Sequence, residues 1–215
     1  MTINLYNADC MQALRQMSDN QYDLAIVDPP YGINIVTRMA QSQSSSSMYT
    51  SSWAVYKHDT EWDAAIPSAE YFEQVQRVSR HQVIWGGNYF LDYLGNTRCL
   101  LIWDKNNGTN PLADAEIAWT NLDRPVRRFT MHHFESGYGK KIHPTQKPVR
   151  LYEWILDTFA KKTDRILDTH LGSGSIAVAC HNTGHSLDAY EIDPVYFAAA
   201  QARLHEHQRQ MRLFT

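Results

Sequence analysis

An apolar run in the segment 25–32, AIVDPPYG, ends in an acid, two prolines and an aromatic ring. Neither proline has an N–H to donate to a strand ladder, so the strand must stop at Asp28. Open α/β sheets place their ligands at such strand ends. The pattern therefore predicts a ligand site made of an acid (Asp28), a rigid turn (Pro29 and Pro30) and a flat ring (Tyr31). A structural turn capped by the acid is the simpler alternative.

A second strand that ends in an acid stands in the segment 166–180, ILDTHLGSGSIAVAC. After Asp168, the turn from Gly172 to Gly174 lets a ligand approach the backbone closely, which a Cβ would block. Glu191 ends the following strand, where a carboxylate can bind both ribose hydroxyls of a nucleoside. The third glycine of the dinucleotide fingerprint is missing, which favours a nucleoside without phosphates, S-adenosylmethionine. Simple helix–strand packing is the alternative for the glycine turn.

The elements that must position these residues alternate in type along the chain. Short β-forming runs are followed by helical patterns, which predicts an α/β fold with a parallel sheet. Apolar stripes predict a helix capped by Ser68 and a helix near 151–159, and Asp193-Pro194 is typical of the start of a final helix. The segments 33–67 and 121–147 have no convincing period and are predicted to be loops. We predict strands at 3–7, 23–28, 82–85, 99–103, 116–119, 165–168 and 187–192.

Composition is that of a globular protein. A 43% hydrophobic share over 215 residues predicts one domain, 1–215, with a full core. No apolar run reaches membrane-spanning length, and the N-terminus has no signal pattern. Three scattered cysteines without a CxxC pair predict neither a disulfide framework nor a metal site. We expect a reduced, cytoplasmic setting with no membrane partner and no metal.

Charge is unevenly distributed, although the net charge is only −3. From Arg124 to Arg150 there are seven lysines and arginines and one glutamate. Such a cluster in an acidic chain predicts a phosphate-contacting surface, and a solvated loop is equally open as an interpretation.

Four motifs together make the chain similar to a known family. They are DPPYG (28–32), HPTQKP (143–148), LDTHLGSGS (167–175) and YEIDPVYFAAAQAR (190–203). In this order they resemble the β-class amino-methyltransferases of DNA, and most of all the small adenine-N6 enzymes of phages and prophages. ADCMQAL (8–14), EWD (61–63), IWGGNYF (84–90) and LIWDK (101–105) also resemble this group. The likeness spans nearly the whole chain.

The resemblance implies a Rossmann-like methyltransferase fold with circularly permuted motif order. Its sheet would have seven mostly parallel strands and a reversed edge hairpin, and would bring Asp28 and Gly172 to one edge. The implied activity is direct methyl transfer from S-adenosylmethionine to the exocyclic amine of a flipped adenine in double-stranded DNA. The Asp28 carboxylate and the Pro29 carbonyl would accept the amine N–H groups, Pro30 would fix the turn, and Tyr31 would stack on the base. The resemblance leaves open whether the chain forms a homodimer.

The resemblance also assigns a cofactor site. Glu191 would bind the ribose hydroxyls, Ile192 the adenine face, and Asp9 and Cys10 the adenine edge; for Asp9, a helix N-cap is nearly as good an interpretation. The remaining assignments are Asp168, Leu171, Gly172 and Gly174 around the methionine portion, with Thr145 and Lys147 facing its carboxylate. The family's usual Asp-Pro-Phe is Asp168-Thr169-His170 here. We expect His170 to replace the lost apolar wall by stacking, a satisfied strand-end histidine being the alternative.

DNA contacts are implied for the basic cluster and the irregular segments. Phosphate contacts are expected from Arg124, Arg127, Arg128, Lys140 and Lys141. Substrate recognition is expected from about 33–67 and 104–142. Three alternatives stay open: methylation of cytosine N4, for which the family more often has Ser in place of Asp28; methylation of RNA or of a protein glutamine; and a catalytically silent module that binds nucleic acid or S-adenosylmethionine.

Overall fold

The computed structural model describes residues 1–35, 62–108, 113–132 and 142–212. Strands and helices alternate within these ranges. The strands are β1 (Ile3–Asn7), β2 (Tyr22–Val27), β3 (Ser79–Trp85), β4 (Leu100–Asp104), β5 (Ala115–Thr120), β6 (Arg127–Thr130), β7 (Arg165–Asp168) and β8 (Ser186–Glu191). The helices are α1 (Cys10–Gln16), α2 (Ala69–Val78), α3 (Val149–Phe159), α4 (Ser175–Thr183) and α5 (Pro194–Arg212), with a 3₁₀ turn at Gly87–Tyr89.

The strands form one sheet in the order β1-β8-β7-β2-β3-β5-β4-β6. Among the described strands, β5 alone runs antiparallel to its neighbours β3 and β4. The last two strands along the chain, β7 and β8, lie between β1 and β2, the first two. Because these four strands are parallel, their carboxyl ends meet at one edge, which is where ligands bind in such sheets. The predicted permuted, mostly parallel arrangement is therefore confirmed.

Apolar side chains on the two faces of the sheet form two cores. On β2, Leu24 and Ile26 pack into the core that α3, α4 and α5 cover, whereas Ala25 and Val27 pack into the core that α1 and α2 cover. This alternation follows from the period of two in a strand. Both strand faces are buried, which explains why β2 is an almost continuous apolar run. None of the helices that the structure describes is long and apolar enough to cross a bilayer.

Several expectations about single elements need correction. The described sheet has eight strands, not seven, because β6 pairs in parallel with β4 beyond the predicted reversed hairpin. β6 reads RRFT, and its single half-buried apolar residue, Phe129, stands among exposed polar ones, so there is no apolar alternation to detect, as is common in edge strands. It falls within the segment 121–147 predicted to be a loop. Ser68 is the N-cap of α2 by position, but its side chain makes no capping hydrogen bond. Residues 36–61 lie outside the described ranges.

One glycine beside the DPPY turn permits a close contact that any other residue would prevent. Gly86 has a φ of +73°, and a Cβ built on it would lie 2.2 Å from Cε1 of Tyr31. The Tyr31 ring therefore rests directly on the backbone where β3 ends. On the same ring, Tyr89 stacks with a centroid distance of 5.0 Å and an interplanar angle of 17°.

Replacing Gly86 by alanine is expected to lower the free energy of unfolding by about 2 to 4 kcal/mol, since the positive φ and the overlap with Tyr31 both oppose a Cβ. Denaturant unfolding measures this change. Gly95→Ala is the matched control, because a Cβ at Gly95 meets nothing within 4 Å. Equal losses of unfolding free energy in the two variants would contradict the close contact between Gly86 and Tyr31.

Candidate active site

Three acids lie at the carboxyl edge formed by β2, β7 and β8. Asp28 directly follows β2, Asp168 is the last residue of β7, and Glu191 is the last residue of β8. Asp28 and Gly172 line the same cavity, of about 320 Å³, although they are far apart in sequence. The predicted meeting of the two motifs is thus confirmed.

A second cavity, of about 260 Å³, adjoins the first. Four residues line both cavities and so form a shared wall: Pro30, His170, Glu191 and Ile192. The first cavity also has Thr145, Lys147 and Leu171 in its lining, and the second has Asp9, Cys10 and Tyr71. Of the other residues predicted for the site, Pro29, Tyr31, Asp168 and Gly174 line neither cavity.

The Asp28 carboxylate is held on both oxygens by side chains. The Tyr31 hydroxyl donates to Oδ1 at 2.7 Å, and the Lys147 ammonium donates to Oδ2 at 2.5 Å. Burial raises the pKa of Asp28 above its ordinary value, and the Lys147 charge opposes that rise. Lys147 therefore borders the predicted cavity, but its ammonium is directed at Asp28 instead of being left for a ligand.

The DPPYG turn is fixed by a residue for which the sequence motifs indicated no role. Asp63 is 2% exposed, and its Oδ1 accepts the backbone N–H groups of Tyr31 at 2.7 Å and Gly32 at 2.9 Å. Its Oδ2 accepts the N–H of Ile35 at 3.0 Å. One buried carboxylate thus accepts three backbone N–H groups at a turn whose two prolines have no N–H group. Asp63 belongs to the EWD motif, which was the available signal.

Glu191 is oriented by backbone amides. Its Oε2 accepts the N–H of Gly172 at 2.8 Å, and its Oε1 accepts the N–H of Asp193 at 2.9 Å. Burial raises the pKa of Glu191, against the opposing effect of these amides. Each oxygen keeps a lone pair beyond its amide bond, and the carboxylate borders both cavities, so it can accept from two neighbouring hydroxyls at once.

His170 is a hydrogen-bonded residue after β7 that lines both cavities, and its stacking on the cofactor stays a prediction. It packs edge-on against the Tyr71 ring at 5.4 Å, and it shares a hydrogen bond of 2.9 Å between Nδ1 and the Thr169 hydroxyl. Burial lowers the pKa of His170 to about 4, so the ring is neutral at neutral pH. Its backbone N–H donates to Asp168 at 3.0 Å, and burial raises the pKa of Asp168 to about 8. A neutral, hydrogen-bonded ring therefore lines both cavities at this point.

The remaining predicted cofactor residues occupy the loops around the cavities. Asp9 caps α1 by accepting the N–H of Met11 at 2.8 Å, which is the simpler of its two interpretations. Burial raises the pKa of Cys10 to about 12, so its thiol stays protonated. The Thr145 hydroxyl is 3.1 Å from Nδ1 of His143. Gly174 is the N-cap of α4, with φ of +70°.

The predicted phosphate contacts are dispersed. Arg124 lies in the loop before β6, while Arg127 and Arg128 are neighbours on this edge strand, so their side chains leave opposite faces of the sheet. Arg128 approaches Asp104 at 3.6 Å. All three are exposed. Lys140 and Lys141 lie outside the described residues. Three strands separate β6 from β2, so these arginines are remote from Asp28.

Comparison with known proteins identifies the family. Residues 57–202 match the model of the N6/N4 methyltransferase family, described as DNA methylase. The chain belongs to this family. Two curated proteins are similar over 95% of the chain: the type II methyltransferase M.HpaI of Haemophilus parainfluenzae, 23% identical and matched over 74% of its length, and the putative methylase YubD of Escherichia coli K12, 24% identical and matched over 91%.

Solved structures of low sequence identity share the fold. M1.HpyAVI in complex with SAM has a TM-score of 0.63 at 20% identity, covering 94% of this chain and 100% of that one. TTHA0409 of Thermus thermophilus, a putative DNA modification methylase complexed with S-adenosyl-L-methionine, scores 0.61 at 15% identity, covering 96% and 94%. The cytosine-N4-specific PvuII DNA methyltransferase scores 0.59 at 14% identity, covering 94% and 86%.

These findings confirm the Rossmann-like methyltransferase fold and the assignment as a DNA methyltransferase. S-adenosylmethionine is the methyl donor of the family and hence of this chain. The N6/N4 family includes enzymes for both bases, so membership leaves adenine and cytosine as separate candidates.

Replacing Asp63 by asparagine is expected to destabilise the chain by about 1 to 3 kcal/mol, because the amide group turns an N–H toward one of the three backbone donors. Methyl transfer should fall as well, since Tyr31 would no longer be fixed beside Asp28. Thermal unfolding and single-turnover methylation measure the two effects. Asp19→Asn is the control, its side chain being 74% exposed. A fully active, equally stable Asp63→Asn variant would contradict the role of this carboxylate.

Proposed function

We propose that the chain is an adenine-N6 DNA methyltransferase. The observation that carries this proposal is the position of the Asp28 carboxylate on the wall of the cavity that Glu191 also lines. An acceptor for amine N–H groups thereby stands next to the site for the methyl donor. The acid in DPPY is the form that resembles adenine enzymes, whereas the cytosine-N4 members more often carry serine at that place.

The two cavities fit the two ends of S-adenosylmethionine, with Glu191 at their boundary. We assign the second cavity to the adenine, beside Asp9 and Cys10, and the first to the methionine portion, beside Leu171 and Gly172. Glu191 between them would accept both ribose hydroxyls, with Ile192 against the adenine. Trp62 also lines the first cavity, and its indole Nε1 is buried without a hydrogen-bond partner among the described residues.

Methyl transfer requires the chain to position an amine and to take charge away from it. The exocyclic nitrogen of adenine attacks the methyl carbon, an N–C bond forms, the C–S bond breaks, and sulfur keeps the electron pair as a thioether. Asp28 and the Pro29 carbonyl would accept the two amine N–H groups and so aim the nitrogen lone pair. The methylated nitrogen then releases one proton, first toward Asp28 and finally to water.

Tyr31 has a double part in this arrangement. Its hydroxyl donates to Asp28 and limits the rotation of that carboxylate. Its ring packs against Gly86 and is stacked by Tyr89, whose exposed fraction is 43%, so the aromatic surface offered to a flipped base is that of Tyr89, supported by the Tyr31 ring. DNA is the substrate we propose, in the cytoplasm, with Arg124, Arg127 and Arg128 contributing phosphate contacts remote from the base.

Isotope-labelled S-adenosylmethionine and unmethylated DNA test the reaction, with digestion to nucleosides and mass spectrometry. Label is expected in N6-methyladenine, and Asp28→Ala should lower the rate about 100- to 1000-fold. Asp157→Asn is the control, since this side chain is 62% exposed. Label in N4-methylcytosine would overturn the base assignment while keeping the site. Label in RNA alone, or in no nucleic acid, would contradict the assignment as a DNA methyltransferase.

Replacing Glu191 by glutamine is expected to weaken binding of S-adenosylmethionine about 10- to 100-fold, because a single amide oxygen cannot serve two backbone amides and two hydroxyls. Isothermal titration calorimetry measures the dissociation constant in the absence of DNA. Glu206→Gln on the exposed side of α5 should bind normally. Unchanged binding by Glu191→Gln would contradict the assignment of Glu191 to the ribose hydroxyls.

A further inference from the structure

The Asp28 carboxylate is the first of four side-chain charges that alternate in sign. The Lys147 ammonium lies 2.5 Å from Asp28 Oδ2 and 3.0 Å from Glu116 Oε2, and the Lys105 ammonium lies 2.6 Å from Glu116 Oε1. Asp28 follows β2, Glu116 belongs to β5, and Lys105 follows β4, so three parts of the sheet contribute. The Lys147 side chain is 2% exposed, whereas those of Asp28 and Glu116 are 17% and 22% exposed.

All three N–H donors of Lys147 have acceptors within the protein. Besides the two carboxylates, the Tyr31 hydroxyl lies 3.1 Å from Nζ. The ammonium also packs over the Trp85 ring, 5.3 Å from its centroid. Because the side chain is 2% exposed and each of these groups is within contact distance, the ammonium has little freedom to move. With three donors in total, Lys147 has none left for the carboxylate of a cofactor.

The two carboxylates compete for this ammonium. Burial disfavours the charge on Lys147, but Asp28 and Glu116 together raise its pKa above the ordinary value. Burial alone would raise the pKa of Glu116, yet Lys147 and Lys105 outweigh it and hold that pKa at about 2. Glu116 is therefore ionised throughout the neutral range, and its charge acts on Asp28 in the direction opposite to that of Lys147.

Other titratable groups face this network from the elements packed against it. Tyr31 donates to Asp28, Tyr152 comes from α3, and Asp168 comes from β7. Burial keeps the pKa of both tyrosines well above the ordinary value, so neither loses its proton near neutrality. Burial raises the pKa of Asp168 to about 8, so its titration must be distinguished from that of Asp28.

We propose that Lys147 and Glu116 are positioning residues for methyl transfer: Lys147 fixes the Asp28 carboxylate and keeps it ionised, and Glu116 limits how strongly Lys147 holds it. This rests on the proposed function, in which Asp28 accepts the amine hydrogens. A carboxylate bound tightly to an ammonium is a poor acceptor, and one without a cation in a buried site takes up a proton. Sharing the ammonium with Glu116 keeps Asp28 between these two extremes.

Two variants with opposite expected effects test the proposal. Glu116→Gln leaves Lys147 to Asp28 alone, so the pKa of Asp28 should fall by about one pH unit, and Lys147→Met should raise it by about one or more. The acid limb of the single-turnover rate should move to lower pH in the first variant and to higher pH in the second. The Glu116→Gln plateau should also fall, because Asp28 becomes a weaker acceptor.

An NMR titration of ¹³C-carboxyl-labelled aspartates gives the Asp28 pKa without DNA, after its resonance is assigned with Asp28→Asn. The two hypotheses are tested separately. Absence of methyl transfer by the wild-type chain would contradict the proposed function, whereas the titration tests the proposed effect of Lys147 and Glu116 on Asp28. The Asp168 resonance is followed in the same spectra, so a shift there is not taken for one of Asp28. Arg165→Gln is the control. Arg165 is paired with Asp188 and is the first residue of β7, so it lies at the end of that strand opposite to Asp168.

Shifts of opposite sign for the two variants, with the dissociation constant of S-adenosylmethionine within about threefold of the wild type, would support the proposal. Shifts of the same sign, or no shift in Glu116→Gln, would overturn it. A loss of cofactor affinity of about tenfold or more in Lys147→Met with an unmoved Asp28 titration would overturn it too, and would assign Lys147 to the cofactor carboxylate. If Lys147→Met does not fold, the sign of the Glu116→Gln shift decides.

Discussion

One buried residue, Lys147, joins the DPPYG turn to the glycine turn before α4. The side chain of Lys147 binds Asp28, which follows β2, while its backbone carbonyl accepts the Ser175 hydroxyl at 2.7 Å at the start of α4. Ser175 in turn lies beside the glycine turn that shapes the first cavity. The relative position of the two motifs is therefore set by a direct chain of contacts through one residue, and does not depend on the sheet alone.

The two acids that meet at the DPPYG turn, Asp28 and Asp63, differ in what they bind, and this difference gives them different roles. Asp63 uses its oxygens on three backbone amides and so shapes the turn. Asp28 is held by a hydroxyl and an ammonium from side chains, and it lines the first cavity with a further lone pair on each oxygen. Removing one partner from a buried ion pair is costly because the other charge stays behind. The alternating network keeps each charge next to its opposite.

Sequence patterns located the elements and the residues at strand ends, because local rules govern both. Strand β2 had to stop before two prolines, and the spacing from Gly172 to Glu191 spans one helix between two parallel strands. Tertiary partners were not accessible in this way. Lys147 was assigned to a cofactor carboxylate, and nothing local indicates that its ammonium meets Asp28, 119 residues earlier. Glu116 offered one signal, an acid inside an otherwise apolar strand, and its meaning depended on which lysines the fold brings near.

The pairing of β1 with β8 has a consequence for how the chain is made. Ile3 is opposite Leu187 in the sheet, and Asn7 is opposite Glu191. During synthesis β1 leaves the ribosome long before β8 exists, whereas β2 and β3, or β4 and β5, find their partners within a much shorter stretch. Contacts of such long sequence separation form late. The wall of the second cavity joins Asp9 to Glu191, so this cavity is completed only after β8 has been translated.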